Sequence, residues 1–233
     1  MPSALVTGAG RGIGEAIALR LVHSGWTVFA GVRDAASGER LAAQDSRIAP
    51  VLLDITDQAH VAALDDRLPD RLDALVNNAG MGVLGPVEVV SIPDLRRQFE
   101  VNVFAQVAVT QAVLPRIRAA RGRIVFISST GGRAPVLMEG AYCASKSALE
   151  ALADVLRVEL RPWHIDVSVV GPGRPTPVLG AGSSRCSPTW SGACRPPIAS
   201  STNDTPEAWS GSSARCSRAP FIRTSSPRWS SGR

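Results

Sequence analysis

Apolar residues in this chain come as short continuous runs, with segments of helical spacing between them. The first run, residues 3–7, stops at a glycine, and similar runs occupy 26–32, 48–53, 72–76, 123–128 and 165–170. Runs of this length without polar alternation read as strands buried on both faces. Between the first two runs, Ile13, Ile17 and Leu21, with Ala16, share one helical face over 13–24. Helices are likewise predicted over 37–44, over 57–68 with Asp57 as cap, over 93–119 with a bend near Pro115, and over 141–160. Six strands alternating with helices predict an α/β fold around a parallel sheet. Ligands of such sheets bind beyond the carboxyl ends of the strands, where the strand order switches. The residues out of keeping with a core fall at those ends: 8–14, Arg33, Asp54, 77–80, Ser128, Ser129 and 171–173.

The pattern stops near residue 174. Residues 174–233 hold 14 Ser, eight Pro and three of the four Cys, and keep neither a period of 2 nor one of 3.6. A 1–173 domain followed by an irregular or disordered 174–233 tail is therefore expected. Two origins stay open for the tail: a natural disordered segment, or a frame-shifted translation of a G+C-rich gene. The second arises because Trp190, Trp209 and Trp229 are each followed by Ser. A TGG-TCN pair read from its third base contains a Val codon, so the neighbouring frame would encode an apolar strand.

Composition narrows the function classes. With 45% hydrophobic and 19% charged residues, the chain is globular. The net charge of +5 suggests nucleic acid, but its location removes that reading. The tail carries eight Arg against two acids, whereas 1–173 carry 17 basic against 18 acidic residues. No CxxC pair and no ligand spacing among His23, His60 and His164 indicate a metal, so none is expected. Cys143 reads as a small buried residue. No run of 18 apolar residues predicts a membrane span, and the N-terminal residues carry no leader pattern, so a cytoplasmic protein is expected.

Candidate chemistry begins at Thr7-Gly8-Ala9-Gly10-Arg11-Gly12-Ile13-Gly14, between the first strand and the first helix. Glycines there permit positive φ and let backbone approach a pyrophosphate, and the helix N-terminus offers amides and a positive dipole. The second strand ends Val32-Arg33-Asp34. Arg33 and Arg11 form a fork suited to a 2′-phosphate, so NADP(H) is expected over NAD(H); Asp34 argues the other way.

The chain has one Tyr and one Lys, Tyr142 and Lys146, four apart on a predicted helix. That spacing puts them on one face. Tyr titrates near ~10, and a neighbouring ammonium lowers that value, preparing the phenol to exchange a proton with a carbonyl or alcohol oxygen. Ser129 ends the preceding strand and can hydrogen-bond the same oxygen, while Ser128 is expected to face the other way. No G-x-S-x-G elbow encloses either Ser, which argues against a hydrolase.

Together, T-G-A-G-R-G-I-G at 7–14, D-I at 54–55, N-N-A-G at 77–80, N102 within E-V-N-V, I-S-S at 127–129, Y-C-A-S-K at 142–146 and P-G at 172–173 resemble the short-chain dehydrogenase/reductase family over residues 3–173. The resemblance implies a Rossmann-like doubly wound sheet and hydride transfer between a nicotinamide and a carbonyl/alcohol pair. It assigns Tyr142 as acid/base and Lys146 as the residue that tunes it and holds the nicotinamide ribose. Ser129 polarises the substrate oxygen, and Asn102 supports a proton relay. Gly8, Arg11, Gly12, Ile13, Gly14, Arg33, Asp54, Ile55, Asn78, Ala79, Gly80, Pro172 and Gly173 are its implied cofactor contacts, beside Tyr142 and Lys146. It also implies a homodimer or homotetramer and a small-molecule substrate: a 3-oxoacyl thioester, a ketosteroid- or retinoid-like lipid, or a small ketone. The family's seventh strand and substrate lid are not recognisable here. The competing readings are a cofactor-binding non-enzyme and an inactive, frame-damaged product.

Overall fold

The computed structural model describes residues 1–172. The expectations for Gly173, the tail, the lid and the last strand lie outside the described residues.

Strand β1 (Ser3–Val6) is buried throughout and leads through the glycine turn into helix α1 (Gly12–His23). Then follow β2 (Thr27–Val32), α2 (Ala35–Ala42), β3 (Ile48–Leu52), the short helices α3 (Gln58–Ala62) and α4 (Leu64–Arg67), and β4 (Ala74–Asn77). Next come α5 (Ile92–Phe99), a π-helical turn (Glu100–Phe104), α6 (Ala105–Ala120), β5 (Arg123–Ile127), α7 (Gly140–Glu159) and β6 (Asp166–Val170). All six strands are parallel, in the order β3-β2-β1-β4-β5-β6. The order reverses between β1 and β4, so their carboxyl ends open a crevice. This is a Rossmann-like, doubly wound sheet.

Alternate residues of each strand feed two cores. Leu5, Leu75, Ile124 and Phe126 pack with Val109, Val113 and Ile117 of α6 and with Leu149 and Ala153 of α7. Val6, Val28, Ala30 and Val76 pack on the other face with Ala18 and Val22 of α1 and Leu41 of α2. Each such Leu, Ile, Val or Phe contributes about 1.5–3 kcal/mol by leaving water. On β6, Val167 is buried but Asp166, Ser168 and Val170 are exposed, and β6 is an edge strand among the described residues.

Three local expectations change. In α1 the buried stripe is Gly14, Ala18 and Val22, while Ile13 is 49% exposed. Small residues win the inner face because a Cβ on Gly14 would lie 2.3 Å from the Gly8 carbonyl oxygen. The single helix expected over 57–68 divides at Ala63 into α3 and α4. The helix expected over 93–119 leaves α geometry at Glu100–Phe104, and Pro115 sits inside α6. A π turn inserts one residue into the helical repeat and so re-aims the side chains that follow.

Candidate active site

A cleft of about 1070 Å³ lies over the carboxyl ends of β1, β2 and β4. Its floor is the glycine turn. Gly8 and Gly12 take φ of +64° and +61°, and nothing stands within 4 Å of a Cβ built on Gly12, so its open side faces free space. No side chain caps α1. The amides of its first turn therefore keep the unmet donors and positive dipole end that suit a phosphate. Arg40 steadies this turn from α2, donating to the Gly10 carbonyl at 2.6 Å and pairing with Glu15. The Arg40 guanidinium holds the Glu15 carboxyl below its usual range.

The crevice is stitched across the switch point by Thr7 and Asn78. Thr7 Oγ1 accepts from the amides of Asn78 and Ala79, both at 3.0 Å. Asn78 Nδ2 donates to the carbonyls of Thr7 at 2.9 Å and Gly8 at 3.2 Å. In the sequence, the signal for this role of Thr7 is its place between the first strand and the glycines.

Gly8, Arg11, Gly12, Ile13, Gly14, Arg33, Asp54, Ile55, Asn78, Ala79 and Gly80 all line this cleft. Arg11 and Arg33 are exposed, and so is Asp34. The Asp34 carboxylate caps α2, accepting from the Ser37 amide at 2.7 Å and the Ser37 hydroxyl at 3.0 Å. Those bonds lower its pKa, and they engage both of its oxygens locally. Asp54 accepts from the Thr56 amide and hydroxyl at 3.0 and 2.7 Å, which also lowers its pKa. Arg96, Arg97, Glu100 and Val101 line the cleft as well. Arg96 and Arg97 belong to no quoted motif, whereas Glu100 and Val101 open E-V-N-V; α5 and the π turn carry them there.

The acid/base candidates sit beside the cleft, outside its lining, and the strip Gly80-Met81-Gly82 joins the two regions. A Cβ on Gly82 would stand 3.7 Å from Tyr142 Cδ2, and one on Gly80 would stand 3.7 Å from Lys146 Nζ. A Cβ on Gly131 would lie 3.6 Å from Ser129 Oγ and 3.7 Å from Tyr142 Cδ1, so Gly131 stands between the two side chains, and its amide donates to Ser129 Oγ at 3.2 Å. Lys146 is 4% exposed. Its Nζ donates to the Ile127 carbonyl at 2.7 Å and lies 5.9 Å from the Tyr142 ring centroid. Burial pushes its pKa down to about 8.

Ser128 donates to Glu150 Oε1 at 2.7 Å, on α7 one turn beyond Lys146. Asn102 lies fully buried in the π turn. Its Oδ1 accepts from the Met81 amide at 2.9 Å, and its Nδ2 donates to the Met81 carbonyl at 2.9 Å and to Ser145 Oγ at 3.1 Å. Gln98, one turn earlier, accepts from the Val83 amide at 2.6 Å and donates to the Met81 carbonyl at 2.8 Å. The two amides thus hold the strip between cleft and tyrosine. Pro172 is half-buried, and a Cβ on Gly171 beside it would lie 3.4 Å from the Ser129 carbonyl carbon.

A family model described as short chain dehydrogenase matches residues 2–179. The chain belongs to the short-chain dehydrogenase family. Retinol dehydrogenase 5 of Mus musculus is 39% identical over 175 residues, 72% of this chain and 55% of that protein. D-beta-hydroxybutyrate dehydrogenase, mitochondrial, of Bos taurus is 38% identical over 183 residues, 72% and 53% of the two chains. The 3-ketodihydrosphingosine reductase of Bacteroides thetaiotaomicron is 34% identical over 173 residues, 72% and 62%. A crystal structure of a short-chain dehydrogenase from Streptomyces avermitilis aligns with a TM-score of 0.71 at 37% identity, covering 78% of this chain and 69% of that one. The matched segment spans between about half and two thirds of these curated relatives' length. Among the described residues no helix is long and apolar enough to cross a membrane, and no group of three His, Cys, Asp or Glu is placed to hold a metal.

Proposed function

We propose that residues 1–173 form an oxidoreductase unit that interconverts a carbonyl and an alcohol with NADP(H), on an apolar substrate. The observation that carries this reading is the placement of Tyr142, Lys146 and Ser129 where the glycine-turn cleft ends. The cleft fits a dinucleotide: its glycine floor leaves space above Gly12, its helix end is uncapped, and Arg11 and Arg33 stand exposed at its rim. Arg33 and Arg11 take the 2′-phosphate as charge-assisted donors, and Asp34, already engaged by Ser37, does not compete for the ribose. Asp54 and Ile55 border the adenine, and Asn78 to Gly80 border the path toward the nicotinamide. When bound, the cofactor supplies or accepts the hydride.

The chain's own residues handle the proton. In the reducing direction the Tyr142 hydroxyl gives its proton to the substrate oxygen as that oxygen gains negative charge, and in the oxidising direction it takes the proton back. Ser129 donates a hydrogen bond to the same oxygen. Lys146 stabilises the phenolate left on Tyr142 and reaches the ribose beyond Gly80. Asn102 fixes the Met81 backbone, which keeps the strip in register with the tyrosine.

The exposed rim beside Tyr142 supports this substrate class. The loops around Gly85 and Met138 join through Gly85 N–H to the Met138 carbonyl at 2.7 Å, and they present Leu84, Val87 and Leu137 at 68%, 75% and 89% exposure. Such a rim suits a lipid-like alcohol or ketone and disfavours a charged one. Relatives named for retinol and 3-ketodihydrosphingosine support this class.

The test is Tyr142→Phe in the full chain, assayed with NADPH against a panel of apolar ketones. Turnover should fall by at least about 100-fold while NADPH affinity, read by fluorescence titration, stays within two-fold or so. Near-normal turnover would exclude the mechanism. An unmodified chain that binds NADPH and reduces none of the panel would exclude the activity.

A further inference from the structure

The stripe that holds Tyr142 and Lys146 continues one turn further along α7, to Glu150. The side chain of Glu150 is only 15% exposed, and both of its oxygens are used. Oε1 accepts from Ser128 Oγ at 2.7 Å, and Oε2 accepts from Arg133 Nε at 2.9 Å. Ser128 and Arg133 flank the turn that carries Ser129. Gly132 makes room for the contact: a Cβ there would lie 2.7 Å from Glu150 Oε1 and 2.8 Å from Ser128 Oγ. Ser147, on the same helix, adds a bond from its Oγ to the Gly132 carbonyl at 2.7 Å.

We infer that Glu150 is a positioning residue: gripping Ser128 and Arg133, it fixes the Ser129 turn to the helix that carries Tyr142 and Lys146. The inference rests on the oxidoreductase reading for its catalytic consequence, but not for the mechanical link. A short turn packed on its own backbone can tilt; one tied on both flanks to the acid/base helix cannot tilt without breaking the part-buried Ser128–Glu150 bond or the Arg133–Glu150 ion pair. The Ser129 hydroxyl and the Tyr142 ring then move as one body. Misplacement of a positioned group by about 1 Å can lower a rate by 10²-fold, so a modest loosening of this turn is measurable.

Glu150→Ala, Glu150→Gln, Ser128→Ala and the Ser128→Ala/Glu150→Ala pair test it in the full chain, with Glu159→Ala, exposed at the far end of the same helix, as the control. Two readouts are taken: kcat and KM with NADPH and an apolar ketone, and hydrogen exchange of the 132–134 amides. The amides of Gly132, Arg133 and Ala134 bond within the turn at 3.0, 3.1 and 2.9 Å. Glu150→Ala should lower kcat about ten-fold with NADPH KM unchanged, and should speed exchange at 132–134 about ten-fold while α7 and the sheet stay protected. Glu150→Gln, which keeps an acceptor for Ser128, should recover part of both. The double variant should be no worse than Glu150→Ala, because the two side chains act as one unit. Unchanged exchange at 132–134 in Glu150→Ala would overturn the inference, as would additive losses or exchange that rises equally across the whole sheet. If the unmodified chain turns over nothing, the oxidoreductase reading falls, and exchange alone still decides whether Glu150 holds the turn.

Discussion

Lys146 makes the stability of the unliganded chain depend on pH in an unusual direction. Its ammonium sits 4% exposed with the Ile127 carbonyl as partner, and burial pushes its pKa from 10.5 down to about 8. The unfolded chain therefore holds this proton between about pH 8 and 10.5, where the folded chain has released it. Stability rises with pH wherever the unfolded state binds more protons. The buried charge thus opposes folding by about 3 kcal/mol below pH 8, at about 1.4 kcal/mol per pKa unit, and this penalty fades as pH climbs through the window. Between about pH 7.5 and 9.5 the expected gain is about 2 kcal/mol. With a urea m-value of about 2 kcal/mol/M, the unfolding midpoint should move up by about 1 M. Lys146→Met, similar in length and uncharged, should remove the slope and be the more stable protein at the lower pH. Urea titrations of both proteins at the two pH values test this. A midpoint that stays flat or falls in the unmodified chain, with the same profile in Lys146→Met, would refute the buried-ammonium account. Saturating NADPH should flatten the rise if Lys146 meets the ribose, because a partner there restores the charged form.

The proposed cofactor fork and the α2 cap are separable. Arg33→Ala should weaken NADPH binding roughly ten-fold or more, the value of a charge-assisted hydrogen bond, and leave NADH unaffected; an equal loss for both cofactors would make Arg33 structural. Asp34→Ala should lower the urea midpoint through the lost cap and leave NADH affinity unchanged, whereas a large NADH loss would assign Asp34 to the ribose. The outer face of α7 exposes Val155 and Val158 at 55% and 61%, and Phe104 of the π turn is 57% exposed. We propose that they pair two copies of the chain. Val155→Glu should then convert a dimer to a monomer in sedimentation velocity, and an unmodified chain that sediments as a monomer would remove the proposal.

The strands were legible in the sequence to within two residues at either end, because a strand covered on both faces leaves a continuous apolar run. Tyr142 and Lys146 were legible for a related reason: their relation is set by one helical turn, which is local. The glycine turn stood out by position alone, between the first strand and the first helix. Other features required tertiary structure. Periodicity placed Ile13 toward the core, yet the close approach of Gly14 to Gly8 and Asn78 turns Gly14, Ala18 and Val22 inward and leaves Ile13 at the cleft. Asp34 reads in the sequence as a rival for the ribose, and its carboxylate caps α2 through Ser37, three residues on, a contact that is itself local. Nothing local pairs Ser128 with Glu150, 22 residues away, or sends Thr7 to the amides of Asn78 and Ala79, 71 and 72 residues on. Periodicity and caps are written into neighbouring residues by the helix and strand repeats. Contacts across the β1–β4 switch depend on the order in which the strands assemble, and that order is settled only when the whole sheet packs.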